Sequence, residues 1–322
     1  MSPRVSVVMA AYQAEATIGS AVESVLAQSY RDFELLVVDD GSTDATAAIV
    51  SAHNGPLKLL QRKNQGVGAA RNLAIAEATG ELVTFCDADD QLFERHLQAL
   101  VDVYDRAATG LATSNSYWLL PGGIHPSKQR YKGRFPAPDR QRAAVLEQNF
   151  LSTMTLFPRG LVEEVGPLDE SRSLTEDWDF WMRAIFAGYR VALQREPLSL
   201  YRWGATGLSA AVSAMDEDID AMYGRLEQRD DLTDEERAYI ARRRASPGPR
   251  RLSRLGDEAL RKGRYRDAAR LYGEAAALCP SERMLVWKAR ALAPVPRLVG
   301  PFLRSRQLRI EGQLGLDEDR AR

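Results

Sequence analysis

Between residues 5 and 86, four short apolar runs alternate with three stretches of helical character, and this alternation restricts the fold more than any other feature of the chain. The runs cover residues 5–10, 32–38, 57–61 and 82–86. The first, Val5-Ser6-Val7-Val8-Met9-Ala10, is apolar nearly throughout, as expected of a strand covered on both faces. The stretch 17–28 carries Ile18, Val22, Val25 and Leu26 on one helical face, and 45–52 and 69–79 also read as helices. Strand and helix in strict succession predict an α/β fold, a Rossmann-like and mostly parallel sheet with helices on both faces. Ligands of such sheets bind beyond the carboxyl ends of the strands.

Those ends are polar here. They read Ala11-Tyr12-Gln13, Asp39-Asp40-Gly41-Ser42-Thr43-Asp44 and Asp87-Ala88-Asp89-Asp90. Carboxylates crowded at one sheet edge repel each other unless a cation sits between them or one holds a proton. Mg²⁺ and Mn²⁺ suit such a place, because they take a carboxylate or two together with phosphate oxygens. A single acidic cluster can instead cap a helix, with Asp89 or Asp90 before the next one and Ser42, Thr43 or Asp44 before 45–52. Two acidic strand ends on the same edge point to a nucleotide or metal site. The loop 64–72 contains Gly66 and Gly68, which allow close backbone approach to a ligand, and opens a helix whose start can face phosphate. It lacks the Gly-Lys-Ser/Thr of a P-loop. Arg71, near that helix start, opposes the helix dipole, so either a nearby anion balances it or it is an exposed surface arginine.

Further along, residues 92–107 read as a helix on which His96 is an ordinary residue, and 111–120 as a strand. Residues 121–139 form a long Pro/Gly-rich loop whose Lys128, Arg130, Lys132 and Arg134 either meet phosphate or stay solvated. A helix over 140–148 and a strand over 150–157 follow. The helix from Thr175 to Ala187 places Glu176, Asp177 and Asp179 in its first turn, more acid than capping needs. Strands over 189–193 and 198–203 close the region.

Five blocks now stand in order: residues 5–12, 24–30, 37–44, Gly68-Ala69-Ala70-Arg71-Asn72, and Asp87-Ala88-Asp89-Asp90. In that order they resemble the inverting GT-A glycosyltransferases of family 2. The resemblance implies metal-dependent, inverting transfer of a sugar from a nucleotide-diphosphate sugar to a hydroxyl of a glycan or lipid-linked acceptor. It implies that Asp39 contacts the base, that Ala11, Tyr12, Arg71, Asp87 and Ala88 bind the donor nucleotide, and that Asp89 is the direct ligand of Mn²⁺ or Mg²⁺. It also makes Asp177, in the Glu176-Asp177 block, the catalytic base. The chemistry agrees, since inversion needs one carboxylate for the acceptor proton and a cation for the leaving diphosphate. Tyr201-Arg202, followed by Ser209, resembles the family loop that approaches the diphosphate. The chain departs from the family in having Trp203-Gly204-Ala205 where a histidine is common. Trp203 either stacks on a sugar or lies in the core, and Glu176, Trp178 and Trp203 are candidates for acceptor or supporting contacts. An aspartate facing a base suits the imide edge of uracil or thymine, hence a UDP- or dTDP-sugar.

Two other classes compete. A phospho-signalling receiver also ends parallel strands in aspartates, but it needs a lysine at a later strand end, and Lys128 and Lys132 fall in the Pro-rich stretch. A non-catalytic sugar-nucleotide binder or scaffold of a polysaccharide assembly system would have no need of Asp39, Asp87, Asp89 and Asp177 together.

The 322 residues accommodate a catalytic domain over 1–212 and a helical region over 213–322. A net charge of −1 gives no general attraction to nucleic acid. Cys86 and Cys279 lie on separate predicted elements, which excludes a disulfide framework and a zinc site. The start carries no signal peptide and no apolar run is long enough to span a bilayer, so the expected location is the cytoplasm, with any peripheral contact on the inner membrane face. Residues 215–228 and 233–244 read as charged helices, and 252–278 resembles a single tetratricopeptide-like hairpin that needs the catalytic domain or a partner to cover its face. In 284–308, Pro294, Pro296 and Pro301 are expected to break the chain into short helices. Its mixture of Trp287, Leu298 and Phe302 with Arg290, Arg297 and Arg304 suits either an anionic membrane surface or packed helices with a solvated basic face.

Overall fold

The computed structural model describes residues 2–120, 123–171, 174–203, 212–245, 248–280, 282–294 and 296–313. The chain divides into two compact units, residues 1–145 with 149–203, and residues 146–148 with 204–322. Gly204 and the expected Ser209 lie outside the described residues.

The first unit is built on a sheet of nine described strands. Strands β1 (Val5–Ala11), β2 (Phe33–Asp39), β3 (Leu57–Gln61) and β4 (Leu82–Phe85) run parallel in the order β3-β2-β1-β4. Val5, Val7, Val8 and Met9 are all at most 1% exposed, so β1 is covered on both faces, as its unbroken apolar run required. Helices α1 (Ile18–Leu26), α2 (Thr46–Ser51) and α3 (Val67–Glu77) connect these strands, and the short helices α5 (Gln141–Glu147) and α6 (Leu161–Val165) come later in the chain. Beyond β4 the sheet continues as β8 (Thr155–Pro158), β6 (Gly110–Leu120), β9 (Arg190–Arg202) and β5 (Gln91–Leu92), with β7 (Gly123–Gln129) paired to β6. The β4–β8 and β8–β6 pairs are antiparallel and β6–β9 is parallel.

Several local expectations give way to pairing. Residues 121–139 are not one long loop, because β7 folds back on β6 as a hairpin. The two closing strands are one, β9, which absorbs Pro197 through a shift of register against Asn115. The helix expected from Leu92 starts at His96, since Gln91 and Leu92 pair with β9 instead. Asp90 therefore caps no helix. Nor is α2 capped in the usual way, although Asp44 Oδ1 accepts the Thr46 N–H at 3.0 Å. His96, on α4 (His96–Ala107), is buried with Nδ1 on the Leu198 carbonyl at 3.1 Å. Burial pushes its pKa down to about 4, so it is a neutral core group at physiological pH.

The second unit has its own core. Helices α8 (Val212–Leu226) and α9 (Asp234–Arg244) precede the hairpin of α10 (Pro249–Arg261) and α11 (Tyr265–Leu278). Thr233 and Glu236 form a reciprocal capping box at the start of α9. The hairpin needs no outside cover: Leu285, Ala289 and Leu292 of α12 (Arg283–Leu292) and Leu303 of α13 (Pro296–Gln313) close it. A Cβ on Gly256 would stand 2.9 Å from the Tyr272 ring, so the close approach of α10 to α11 depends on this glycine. Pro301 lies inside α13 and does not break it, contrary to expectation. Losing one backbone donor is offset by the anchorage of its neighbours, with Leu303 4% exposed in the core. Among the described residues no helix is long and apolar enough to cross a membrane.

Candidate active site

The loops after β1 and β2 are laced together at the sheet edge. Gln13, at φ 50°, takes the Thr43 N–H on Oε1 at 2.8 Å and gives its own N–H to Ser42 Oγ at 3.0 Å. Asp39 is 2% exposed, and its Oδ1 accepts the Ser42 N–H at 3.0 Å. Asp39 Oδ2 has only a long contact, 3.4 Å, from Gln61. The neighbouring Asp40, expected only as part of the acidic strand end, accepts the N–H groups of Gln65 (3.1 Å) and Gly66 (2.7 Å) and faces Arg62 Nε at 3.3 Å. It thus holds the loop that launches α3. Gly41 between these loops has φ 83°, and a Cβ there would lie 2.8 Å from the Asn64 nitrogen. Ala11 and Ala88 are buried, and Tyr12 stands out at the edge, 54% exposed.

Arg71 is the hinge of the site. It is 3% exposed, not a surface arginine. Its Nη2 donates to Asp87 Oδ1 at 2.6 Å and its Nη1 to Glu176 Oε1 at 2.7 Å, and its guanidinium lies 4.9 Å from the Phe85 ring. The balancing anions expected near this helix start are thus two carboxylates of the chain itself. Below them Phe85, Phe157, Phe180 and Trp181 interlock at centroid distances of 5.1–6.1 Å. They pin β4 and β8 to α7 (Glu176–Phe186), so Asp87 and Asp177 belong to one rigid frame. Trp178 is part of the interior, 4% exposed, with its indole N–H on the Val145 carbonyl at 2.7 Å. That corrects its candidacy for acceptor contact: the α7 helix turns it away from the edge.

Asp177 Oδ2 accepts a hydrogen bond from Asn149 Nδ2 at 2.9 Å, and Oδ1 lies 2.7 Å from the Trp178 nitrogen. Asn149, on an irregular stretch, carried no sequence signal of this role. Burial pushes the Asp177 carboxyl up, opposed by Arg71 and Arg130. Glu176 is pushed up to about 7 by burial and by Asp177, against the attraction of Arg71. Arg71 is shared between Asp87 and Glu176, and Arg130 acts on Asp177, yet burial still pushes Glu176 and Asp177 up, so the cluster favours a proton or an added cation.

Asp89 and Asp90 meet the end of β9. The Arg202 N–H donates to Asp90 Oδ1 at 2.8 Å and Arg202 Nε to the Asp89 carbonyl at 2.9 Å. Asp90 is 1% exposed, its Oδ2 has no partner, and burial with Asp87 and Asp89 alongside holds its carboxyl well above the usual range. Through the hydrogen bond from Arg202, Asp90 fastens the end of β9. Asp89 keeps a solvent-exposed surface, and the protein packed around its carboxyl, with Asp87 next to it, pushes it up to about 6. Among the described residues no three His, Cys, Asp or Glu side chains converge into a metal cage. A carboxylate crowded by a second one suits Mn²⁺ or Mg²⁺, whose remaining ligands would come from phosphate and water.

Past Arg202 an aromatic platform begins. Trp203 lies 5.9 Å from Trp118, and Trp118 is 6.2 Å from Tyr201, with Lys128 Nζ 5.3 Å above Trp118. Arg130 packs between the Tyr131 and Tyr201 rings and is not a solvated loop residue.

Comparison with known proteins supplies independent findings. The family description "Glycosyl transferase family 2" matches residues 6–166, a span that includes Asp39, Arg71, Asp87 and Asp89 and ends before Asp177. The chain is similar to an uncharacterized glycosyltransferase of Nostoc sp., with 31% identity over 66% of this chain and 69% of the relative. It is also similar to the succinoglycan biosynthesis protein ExoO of Rhizobium meliloti, with 31% identity over 68% of this chain and 66% of the relative. Among solved structures, S. aureus TarS 1-349 in complex with UDP-GlcNAc superposes with a TM-score of 0.62 at 19% identity, covering 92% of this chain and 91% of TarS 1-349. The mannosyltransferase PcManGT from Pyrobaculum calidifontis, in complex with GDP-Man and Mn²⁺, gives a TM-score of 0.58 at 19% identity, covering 99% and 88%. These superpositions establish the GT-A fold.

Proposed function

The chain belongs to glycosyl transferase family 2 and is a glycosyltransferase, and from that premise we propose that it moves a sugar, with inversion, from a UDP- or dTDP-sugar to a hydroxyl of a growing or lipid-linked glycan. One observation carries the reading: Arg71 joins Asp87, on the donor edge, to Glu176, beside Asp177, through bonds of 2.6 and 2.7 Å. Arg71 thereby holds the acidic end of β4 against the Glu176-Asp177 block.

Asp39 Oδ2 offers an acceptor to the imide N–H of a pyrimidine base, and the exposed Tyr12 ring offers a surface to its face. Arg202, anchored through its backbone and Nε, directs its guanidinium charge at the diphosphate. Asp89, assisted by Asp87, would hold Mn²⁺ or Mg²⁺, which would supply positive charge to the departing phosphate. Asp177 takes the proton from the acceptor hydroxyl. The acceptor oxygen bonds to the anomeric carbon as the bond from that carbon to the phosphate oxygen breaks, and the nucleoside diphosphate leaves. ExoO, by its name a succinoglycan biosynthesis protein, favours a role in polysaccharide assembly.

The test is turnover of UDP- and dTDP-sugars with a glycan acceptor in Mn²⁺, repeated in EDTA. Activity is expected to vanish in EDTA and return with Mn²⁺, and Asp89→Asn is expected to lower kcat by about 100-fold. Donor binding without turnover in any metal would favour the non-catalytic binder instead. The acceptor sugar is assigned to the Trp118–Trp203 platform, where a ring can stack. Trp118→Ala is expected to raise acceptor KM by about tenfold with donor KM unchanged. An unchanged acceptor KM would remove the platform from the site.

A further inference from the structure

Six large apolar side chains stand exposed among the described residues, and four of them lie on α12 and α13: Met284 (51%), Trp287 (42%), Leu298 (78%) and Phe302 (65%). On α12 the exposed residues Arg283, Met284, Trp287 and Arg290 recur at helical spacing, opposite the buried Leu285, Ala289 and Leu292. On α13 the exposed Leu298 and Phe302 are one turn apart, and Arg304 is exposed beyond them. The hairpin core is already closed by the inner faces of these helices, so the outer residues are not needed to complete it.

Charge narrows the choice of partner. From Arg283 to Ile310 the sequence holds seven lysines and arginines and no aspartate or glutamate, within a chain of net charge −1. Lys288 turns inward to Asp257, with Nζ–Oδ1 2.7 Å, while Arg283, Arg290 and Arg304 face solvent. A second copy would oppose two like-charged faces. A nucleic-acid backbone would match the charge and leave the apolar side chains in water. An anionic lipid surface meets both requirements, with apolar groups entering the headgroup–acyl boundary and arginines at the phosphates. We propose that the outer faces of α12 and α13 bind an anionic bilayer surface through Met284, Trp287, Leu298 and Phe302 together with Arg283, Arg290 and Arg304. This goes beyond the catalytic reading and stands or falls without it.

The test sediments the full chain with sucrose-loaded vesicles of phosphatidylcholine, alone or mixed with phosphatidylglycerol, at low and high salt. The expected result is binding to the mixed vesicles, at least about tenfold weaker to neutral ones, and weaker in high salt. Leu298→Glu with Phe302→Glu, and separately Arg290→Glu with Arg304→Glu, are each expected to reduce binding by about tenfold or more while the thermal midpoint and donor binding stay at wild-type values. Should the first pair disturb folding, Leu298→Gln with Phe302→Gln replaces it. Equal binding to neutral vesicles, no binding to either, or binding unaffected by the folded variants would overturn the proposal. So would a dimer in light scattering that dissociates in the Leu298/Phe302 variant, because it would give the face to a second copy.

Discussion

Replacing Asp177 by asparagine is expected to lower kcat by about 10²–10⁴-fold while leaving donor affinity near the wild-type value. The amide keeps the size of the side chain and removes its capacity to accept a proton. The two bonds that orient Asp177, from Asn149 at 2.9 Å and at the Trp178 nitrogen at 2.7 Å, both end on carboxylate oxygens, so the amide can satisfy only one of them well. Single-turnover kinetics with the donor in excess, together with calorimetric donor binding, separate chemistry from binding. Turnover retained in the variant would sink the assignment of the base. The pH profile adds a sign. A base works only when deprotonated, and burial raises the Asp177 carboxyl above the ordinary 3.8. The acid-side fall in kcat is therefore expected at a higher pH than a solvated aspartate would give.

Arg71→Met should be the most damaging substitution to stability in the site. It leaves Asp87 and the 6% exposed Glu176 without their shared cation, and stranding buried charge in this way costs about 3–5 kcal/mol. The loss has a pH signature that simple packing loss lacks. Removing Arg71 takes away the largest attraction that lowers the Glu176 pKa, now about 7, so that carboxyl holds its proton to still higher pH. The stability penalty should then shrink as the pH falls and Glu176 becomes neutral, and Glu176→Gln should restore part of it at neutral pH. Urea unfolding of the single and double variants near neutral pH and about two units below it reads both effects. A pH-independent deficit, untouched by the second substitution, would show that Arg71 acts through volume alone.

The acidic edge of the sheet was legible because its signals are local. An apolar run that stops in aspartates states both that a strand is buried and where it ends, and β1, β2 and β4 end within a residue of those points. The acid-rich start of α7 was legible for the same reason. Arg71 was only half legible: its misfit with the helix dipole called for an anion, but one of its partners lies 105 residues away. Asn149 and Trp118 carried no pattern, since a lone polar or aromatic residue in a loop or strand is compatible with many neighbours, and Asp40 was visible only as part of an acidic strand end, not as the anchor of the loop before α3. Asp90 and residues 123–129 were misread because a cap and a loop are what isolated sequence favours, and β9 and β6 offered better partners.

Sequence alone determined the alternating α/β architecture, because burial on both faces imposes an apolar pattern within each element, and five motif blocks in order carried the family resemblance. The tertiary structure alone decided which charge meets which: that Arg71 bridges Asp87 and Glu176, that Asn149 orients Asp177, and that Asp90 fastens β9. Those pairings depend on distance in space between segments far apart in the chain, and ionic and hydrogen-bond energies fall off over a few ångströms that no periodicity along the sequence encodes.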